Sequence, residues 1–304
     1  MTKPIIIFPS DQLRPYRVDD QYAQEAEVAE KIGFQIGTVD HDALERQDIR
    51  QALKRLDLML SSKETTQQVL YRGWMLTEYQ YSVFNNALSL RGLTLLNDPQ
   101  AYVLAHHYPL AYQTLMHQMP KSWFIEEYNL KDDGYLAYAL DNLPKGAVLI
   151  KDWVKSQSHY WDEACFIPNT SDIQHARKVI NRFLDLQGSG LVGGVVLREY
   201  HKLVTNEEWR AIMLDGQVLG CWPKTTGQVS PPVEFVQHAC SLVFSRFASV
   251  DFALKQDGNW MVVETGDGQV SEFPATCPKT HIFLSIKEAF EMDRDMIKST
   301  EAKI

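Results

Sequence analysis

The chain has 304 residues, 45% of them hydrophobic and 23% charged, with a net charge of −9 and a pI near 5.5. That length can bury a substantial core and suits one large domain or two to three lobes. The acidic balance excludes a nucleic-acid binder held by a basic phosphate-reading face, while leaving room for an anionic nucleotide in a local basic pocket. No run approaches the roughly 18 apolar residues of a membrane span. The opening MTKPIIIFPS is too short in its apolar part for a secretory signal, so a cytoplasmic protein that meets no membrane is expected. Cys165, Cys221, Cys240 and Cys277 lie far apart with no C-x-x-C and read as reduced thiols. The histidines include the pair His106-His107 but no H-E-x-x-H, which leaves a zinc site little support.

In chain order, residues 5–8 (IIIF) read as a short buried strand, ended by Pro9 and the polar turn Ser10-Asp11. A helix is predicted from about Tyr22 to Ile32, with Ala26, Ala29 and Ile32 on one side and Gly33 as its stop. Residues 34–39 read as a second strand and 67–71 as a third, which runs into Arg72-Gly73. Thr77 with Gln80 makes a capping box for a helix to about Leu90. Residues 93–96 form a strand, and Asp98-Pro99 starts a new helix with Pro at its first position. Strands alternating with helices over about 100 residues indicate a small α/β lobe with a mainly parallel sheet.

The pattern then changes. Residues 123–126 and 147–151 read as strands around a short helix at 134–142, and Ser171 with Gln174 caps a helix to Leu186. Residues 195–199 are a strand, and 209–214 with 217–222 form a hairpin on Asp215-Gly216 that sets Arg210 across from Cys221. Ser230-Pro231-Pro232 opens a long helix to about Phe247, a hairpin spans 250–264, and a terminal helix covers 281–294. Hairpins interleaved with helices describe an α+β body distinct from the first lobe.

The 250–264 hairpin carries the sharpest chemical signal. A two-residue turn at Asp257-Gly258 puts Asp251 across from Glu264, with Ala253 and Val262 between them on the same face. Directly opposed side chains have Cβ atoms roughly 5 Å apart, and like charges there repel. The pairing suggests a hard cation such as Mg²⁺ between two carboxylates, against the alternative of two solvated acids. After Glu264 comes GDGQVSEFP, a glycine-rich exit with Asp267, where backbone can approach a ligand closely.

Other patterns are weighed the same way. Gly188-Ser-Gly190-Leu-Val-Gly193 fits G-x-G-x-x-G, but a helix precedes it and a strand follows, the reverse of a dinucleotide fingerprint. It reads as a helix stop, and no G-K-[ST] is present. Lys151 ends the strand GAVLIK and Lys155 follows four residues later. A strand-end lysine can hold a phosphate as a point charge, and a surface lysine is the alternative. Arg198 in VVLREYHKL and Arg210 in EEWRAIML adjoin apolar runs, where a guanidinium needs a partner, whether a ligand or a buried acid.

The order of these features resembles the ATP-grasp superfamily: a strand-end lysine, a strand running into LREYHKL, an E-x-R-type hairpin, then Asp and Glu on a late hairpin. VVETGDGQVSEFP, with YRGWML in the first lobe and IKDWVKS midway, is similar to the clade of that superfamily named for one arginine and two lysines. The resemblance spans nearly the whole chain. It implies an α+β ATP-grasp fold with a small α/β pre-ATP-grasp lobe at 1–104, a central lobe at 105–194 and a C-terminal lobe at 195–304 with the metal-binding hairpin. By the same resemblance, Lys151 contacts the α-phosphate or adenine side, and Lys155 reaches the phosphates from a mobile loop. Glu199-Tyr200-His201 becomes the hinge that reads the adenine edge. Arg210 faces the transferring phosphoryl group, and Arg198 competes with it for the role of the clade's arginine. Asp251 and Glu264 bind Mg²⁺. Most ATP-grasp proteins carry Asn two residues after the metal-binding Glu; here that position is Gly266, leaving Asp267 or Gln269 to substitute.

The acceptor site in this family tends to lie between the first lobe and the ATP body. Arg14 and Arg72 are the candidates to hold a substrate carboxylate there, with Tyr16, Trp74 and Tyr79 lining the pocket. The activity implied is ATP-dependent joining of a small-molecule carboxylate to an amine through an acylphosphate, with ATP and Mg²⁺ as cofactors and ADP and phosphate released. The alternative, favoured by Gly266, is a degenerate nucleotide-binding module with a regulatory or interaction role. A kinase-like phosphotransferase is a third reading that differs only in its acceptor. No feature specifies an oligomeric state.

Overall fold

The structure, a computed structural model, describes residues 3–60 and 67–301. The first lobe runs β1 (Ile5–Pro9), α1 (Ala23–Ile32), β2 (Gln35–Val39), α2 (His41–Glu45), α3 (Ile49–Met59), β3 (Gln67–Tyr71), α4 (Glu78–Ser89) and β4 (Leu93–Leu95). Its sheet is parallel in the order β2-β1-β3-β4. The run IIIFP is buried on both faces, as a central parallel strand requires. Ile5 and Ile7 pack with Leu53, Leu56 and Phe84 on one side, while Ile6 and Phe8 meet Ala26 and Ala29 of α1 on the other. Gly33 closes α1 in the left-handed conformation, and the Thr77–Gln80 capping box is formed on both sides. Two helices not anticipated from the sequence, α2 and α3, start on the side-chain caps Asp40 and Asp48.

Two more helices, α5 (Pro99–His106) and the unanticipated α6 (Tyr108–Leu115), lead to the middle lobe. That lobe holds β5 (Ser122–Glu126), α7 (Asp133–Asp141), β6 (Val148–Asp152), β7 (Phe166–Ile167), α8 (Ile173–Gln187) and β8 (Gly194–Glu199). The strand order is β5-β8-β6-β7, all antiparallel. Because β8 lies between β5 and β6, the expected boundary at 194 cuts through one sheet, and the lobe extends to Glu199. The cap of α8 is Asp172 rather than Ser171. Gly188 ends that helix at φ 51° and β8 follows, so the glycine triplet is a helix stop. Strand alternation sorts the sheet's two faces. Ile125, Ile150 and Leu197 pack against α7 and α8. Phe124, Lys151, Val196 and Arg198 point the other way.

The last lobe contains β9 (Leu203–Leu214), β10 (Gln217–Pro223), α9 (Val233–Ser241), β11 (Phe247–Lys255), β12 (Trp260–Asp267) and α10 (Lys279–Glu301), with strand order β10-β9-β11-β12. The helix after Pro232 is shorter than expected, because Phe247 already belongs to β11. Asp215 and Gly216 take φ 48° and 77°, the two positive values a tight hairpin needs. A register shift between Val218 and Gly220 nevertheless sets Arg210 across from Trp222, not Cys221. At the later hairpin only Gly258 has positive φ, and Lys255 N–H bonds to Asn259 O, so the loop is longer than the two-residue turn predicted. Asp251 still faces Glu264, but Phe252 pairs with Val262 and Ala253 with Met261. Val263 is the extra residue of a β-bulge.

Helix α10 returns to the first lobe, where Ile282, Phe283 and Ile286 join the core of Ile6 and Phe8. The seam is completed by Arg72, 1% exposed. Its Nε and Nη2 donate to Glu25 at 2.8 and 2.9 Å, and its Nη1 donates to the carbonyls of Gly268 and Ser271 at 2.6 and 2.9 Å. Its guanidinium lies 3.9 Å from the Phe273 ring centroid. Arg72→Met removes one half of a buried ion pair and strands Glu25, so urea denaturation should show a loss of about 3–5 kcal/mol. A loss below about 1 kcal/mol would mean that Arg72 does not hold the seam.

Candidate functional site

Three strands of the last sheet set Arg210, Asp251 and Glu264 side by side in one row. The bulge decides where Glu264 points. Simple alternation would send Val262 and Glu264 to the same face. With Val263 inserted, Val262 joins Phe252 in the core while Glu264 stands beside Asp251. Arg198 reaches across from the middle sheet and donates from Nη1 to the Val263 carbonyl at 3.0 Å. It braces the bulge that aims the carboxylate.

Asp251 is 2% exposed. Arg210 donates to it bidentately, Nε to Oδ1 at 2.6 Å and Nη2 to Oδ2 at 2.8 Å, and Lys224 Nζ adds a contact at 2.7 Å. Burial alone would raise the Asp251 pKa, but the two cations hold its carboxyl below the ordinary range. Arg210 spends its remaining Nη1 on the Glu272 carbonyl at 2.8 Å. Among the described residues, no side chain hydrogen-bonds or ion-pairs with Glu264, which lines a cavity of about 180 Å³.

That cavity sits where the lobes meet. Lys151 and Val154 come from the middle lobe, Arg210, Ser249, Glu264 and Gly266 from the last sheet, and His106 and Tyr108 from the connecting helices. Met75 is the first lobe's contribution. Lys151 Nζ lies 5.1 Å over the Tyr108 ring and 3.4 Å from the Val154 carbonyl. Burial pushes its pKa down to about 8, with Glu264 opposing the shift, so it keeps its charge at neutral pH. A larger hollow of about 680 Å³, lined by Tyr128, Leu184 and Leu191 among others, lies beside α8, remote from this charge cluster.

Several predicted site residues lie elsewhere. Lys155 is exposed, and only its backbone is held, by the Asp152 carboxylate. In the hinge, the N–H groups of Glu199 and Tyr200 bond to the Lys121 and Ala147 carbonyls, so neither is available to an adenine edge. The Glu199 carboxylate lies 3.5 Å from His201, and Tyr200 packs on Phe166. Asp267 is turned into the seam. It accepts from Asn97 Nδ2 at 2.5 Å and from the Gln269 N–H at 2.8 Å, and burial pushes its pKa up to about 6. Gln269 donates to the Tyr81 hydroxyl and accepts from the Tyr71 N–H. Neither lines the cavity, because the exit loop docks on the first lobe instead of staying free. A Cβ on Gly266 would meet Ser271 Oγ at 2.8 Å and Ser249 Oγ at 3.0 Å, so two hydroxyls fill the space a side chain there would need. Arg14 forms a surface pair with Asp11 at 2.8 Å, Arg72 is consumed by the seam, and Tyr16 and Tyr79 are exposed. Trp74 donates to Gln21. These residues do not converge on a pocket.

Sequence reasoning missed His106, Tyr108, Lys224, Ser249 and Ser271. The His106-His107 pair was visible but suggested only zinc, and Lys224 lies 27 residues from Asp251 with no local pattern joining them. Among the described residues, no three His, Cys, Asp or Glu side chains are grouped as metal ligands. One or two carboxylates suit Mg²⁺, which takes substrate phosphates and water for its other positions, and do not suit zinc.

A basic residue from one antiparallel sheet facing a carboxylate row on another, behind a parallel α/β lobe, is the arrangement of the ATP-grasp fold, which this chain has. Residues 139–286 match the model of an ATP-grasp domain, the third family of the clade named for one arginine and two lysines. No curated protein matches the chain in sequence. Among solved structures, the D-cycloserine synthetase DcsG is similar at a TM-score of 0.58 and 13% identity, over 94% of this chain and 99% of that one. A RimK domain ATP-grasp protein from Sphaerobacter thermophilus DSM 20745 gives 0.60 and 11%, over 94% and 98%. The ATP-grasp ligase PsnB, complexed with a minimal precursor, Mg and ADP, gives 0.57 and 14%, over 94% and 97%. At these identities the likeness is one of fold. Among the described residues, no helix is long and apolar enough to cross a membrane.

The two carboxylates of the row should differ sharply on neutralisation. Asp251→Asn removes the carboxylate paired with the largely buried Arg210 and leaves Lys224 only Glu208, at 3.7 Å, so it should destabilise the chain by about 3–5 kcal/mol. Glu264→Gln, which breaks no ion pair, should stay within about 0.5 kcal/mol of wild type. Equal denaturation midpoints for the two variants would contradict the assignment of charges.

Proposed function

We propose that the chain is an ATP-dependent ligase that joins a carboxylate to an amine through an acylphosphate, releasing ADP and phosphate. The observation that carries this reading is the meeting of Lys151, Arg210 and Glu264 in one cavity. Two donor-only cations there face a carboxylate that, among the described residues, no side chain hydrogen-bonds or ion-pairs. A cavity of about 180 Å³ suits phosphoryl groups and the reacting ends of substrates.

Each residue's role follows from its setting. Lys151, dry and still charged near neutral pH, binds phosphate oxygens as a point charge. Arg210 is locked in plane by Asp251, so its charge is already oriented for the phosphoryl group in transfer and needs no reorganisation. Lys224 shares the Asp251 negative charge and keeps the row from carrying two unopposed carboxylates. Glu264 would hold Mg²⁺, with Asp251 beside it contributing through oxygens already shared with two cations. When bound, the metal supplies positive charge against the phosphate oxygens during transfer. Arg198 acts at one remove, by fixing the bulge that aims Glu264. Lys155, exposed on the loop after β6, is assigned to closing over the nucleotide. The solved complex of PsnB with Mg and ADP supports a nucleotide and metal on this fold.

A second reading has its own support. Asp251 is occupied by two cations and Gly266 carries no ligand, which suits a module that binds nucleotide without turnover. Incubation with ATP, Mg²⁺ and a mixture of amino acids separates the two: the ligase releases phosphate, and the module binds ADP without releasing any. Glu264→Gln should lower turnover by on the order of a hundredfold or more. Turnover near wild type in that variant would reject the metal assignment.

Nucleotide binding should also carry a proton signature. With its pKa near 8 in the free protein, Lys151 is partly neutral above that pH, and anionic phosphates recharge it on binding. Affinity for ADP should therefore fall as pH rises through about 8, by up to about tenfold per pH unit, with proton uptake seen by calorimetry in buffers of different ionisation enthalpy. Lys151→Ala should lose both the affinity, by roughly tenfold to a hundredfold, and the proton uptake. Proton uptake that persists in the variant would assign it to another group.

A further inference from the structure

His106 ends α5 and lines the cavity, yet neither phosphate binding nor metal binding uses it. Its Nδ1 lies 2.9 Å from the carbonyl oxygen of Tyr102, one helical turn back. A carbonyl has no proton to give, so Nδ1 carries the hydrogen. In the uncharged ring, Nε2 is then a bare lone pair that can only accept. Among the described residues no group bonds to Nε2, and it is not one of the buried atoms left without a partner. The face of His106 open to a ligand is the cavity.

The ring is also held still. It packs on Tyr102 with centroids 4.3 Å apart, Tyr102 stacks on Tyr81 at 3.9 Å, and the Tyr102 hydroxyl is bonded to the Leu76 backbone. Burial pushes the His106 pKa down to about 4, with His107 and Lys151 adding to the shift, so the ring stays uncharged at neutral pH.

This chemistry selects what can sit against it. Phosphate and carboxylate oxygens find donors at Lys151 and Arg210, and a lone pair repels them. The reactant in an amide-forming step that carries N–H is the amine. To attack, the amine must be in its free-base form, and it then has a lone pair for the acyl carbon and N–H bonds to spare. Resting on the ligase reading, we propose that His106 Nε2 accepts an N–H of the attacking amine and turns its nitrogen toward the acyl group. Selection for an N–H donor is thereby built into the cavity wall. A purely structural role for His106 would reside in Nδ1 and leave Nε2 unaffected by ligand.

The test uses the full chain with isotopically labelled histidine nitrogens, read by nuclear magnetic resonance with and without Mg-ADP. Hydroxylamine, uncharged near neutral pH and bearing N–H, is the probe, and formate is the control. His106 Nε2 should resonate as an unprotonated imidazole nitrogen and should shift saturably with hydroxylamine but not with formate. His106→Asn, which keeps an N–H for the Tyr102 carbonyl, should remove that resonance and so identify it. A proton on Nε2, no response to hydroxylamine, or an equal response to formate would overturn the proposal. The ligase reading fails separately, by absence of phosphate release from Mg-ATP in the presence of a mixture of amino acids. In that event the hydroxylamine titration of nucleotide-free protein still decides whether His106 is an acceptor.

Discussion

A carboxylate placed almost wholly out of water governs this site. Asp251 remains ionised because Arg210 and Lys224 surround it, and a buried charge without such partners would cost several kcal/mol. The requirement ties β9, β10 and β11 together at one row and takes up most of the donors on Arg210. It also gives the two acids of the row different characters. Asp251 organises cations, while Glu264, one strand further on, keeps its oxygens for something outside the protein.

The second constraint is the bulge at Val263. A regular hairpin would have placed Glu264 on the same face as Val262, which lies in the apolar core. The inserted residue turns it to the cavity, and Arg198 from the neighbouring sheet satisfies the carbonyl that the irregularity exposes. The middle sheet thus contributes twice: Lys151 provides charge in the cavity, and Arg198 provides geometry. Both lie on the face of that sheet away from α7 and α8, because strand residues alternate.

The cavity is closed from the side of the first lobe by buried polar contacts rather than by a loose interface. Arg72 bonds to the Gly268 and Ser271 carbonyls, Asn97 to Asp267 and the Phe247 backbone, and Gln269 to Tyr71 and Tyr81. These contacts pin residues 267–272, which bring Ser271 and the Glu272 carbonyl to the site. A low-dielectric setting of this kind explains why Lys151 and His106 titrate well below their ordinary values.

Much of this was legible along the chain. The run IIIFP, the Thr77–Gln80 box, the Gly33 stop and the Asp215-Gly216 turn are local signals, set by propensity and dihedral preference within a few residues. The pairing of Asp251 with Glu264 was also anticipated, but the longer loop alone would set Asp251 across from Val263, and the bulge restores the register. Beyond that range the local rules stopped. They assigned Arg72 to a substrate, Asp267 to a metal and residues 195–199 to the last lobe, because the partners of these residues are far away in sequence: Glu25 for Arg72, Asn97 for Asp267, Ser122 and Val148 for the last strand of the middle sheet. The amino-acid order by itself determined most of the elements and the placing of two acids on paired strands of one late hairpin, since those depend on near neighbours. Tertiary packing alone decided which acid is neutralised, where Glu264 points and why His106 offers a lone pair, because each of these depends on what a folded neighbour leaves unsatisfied.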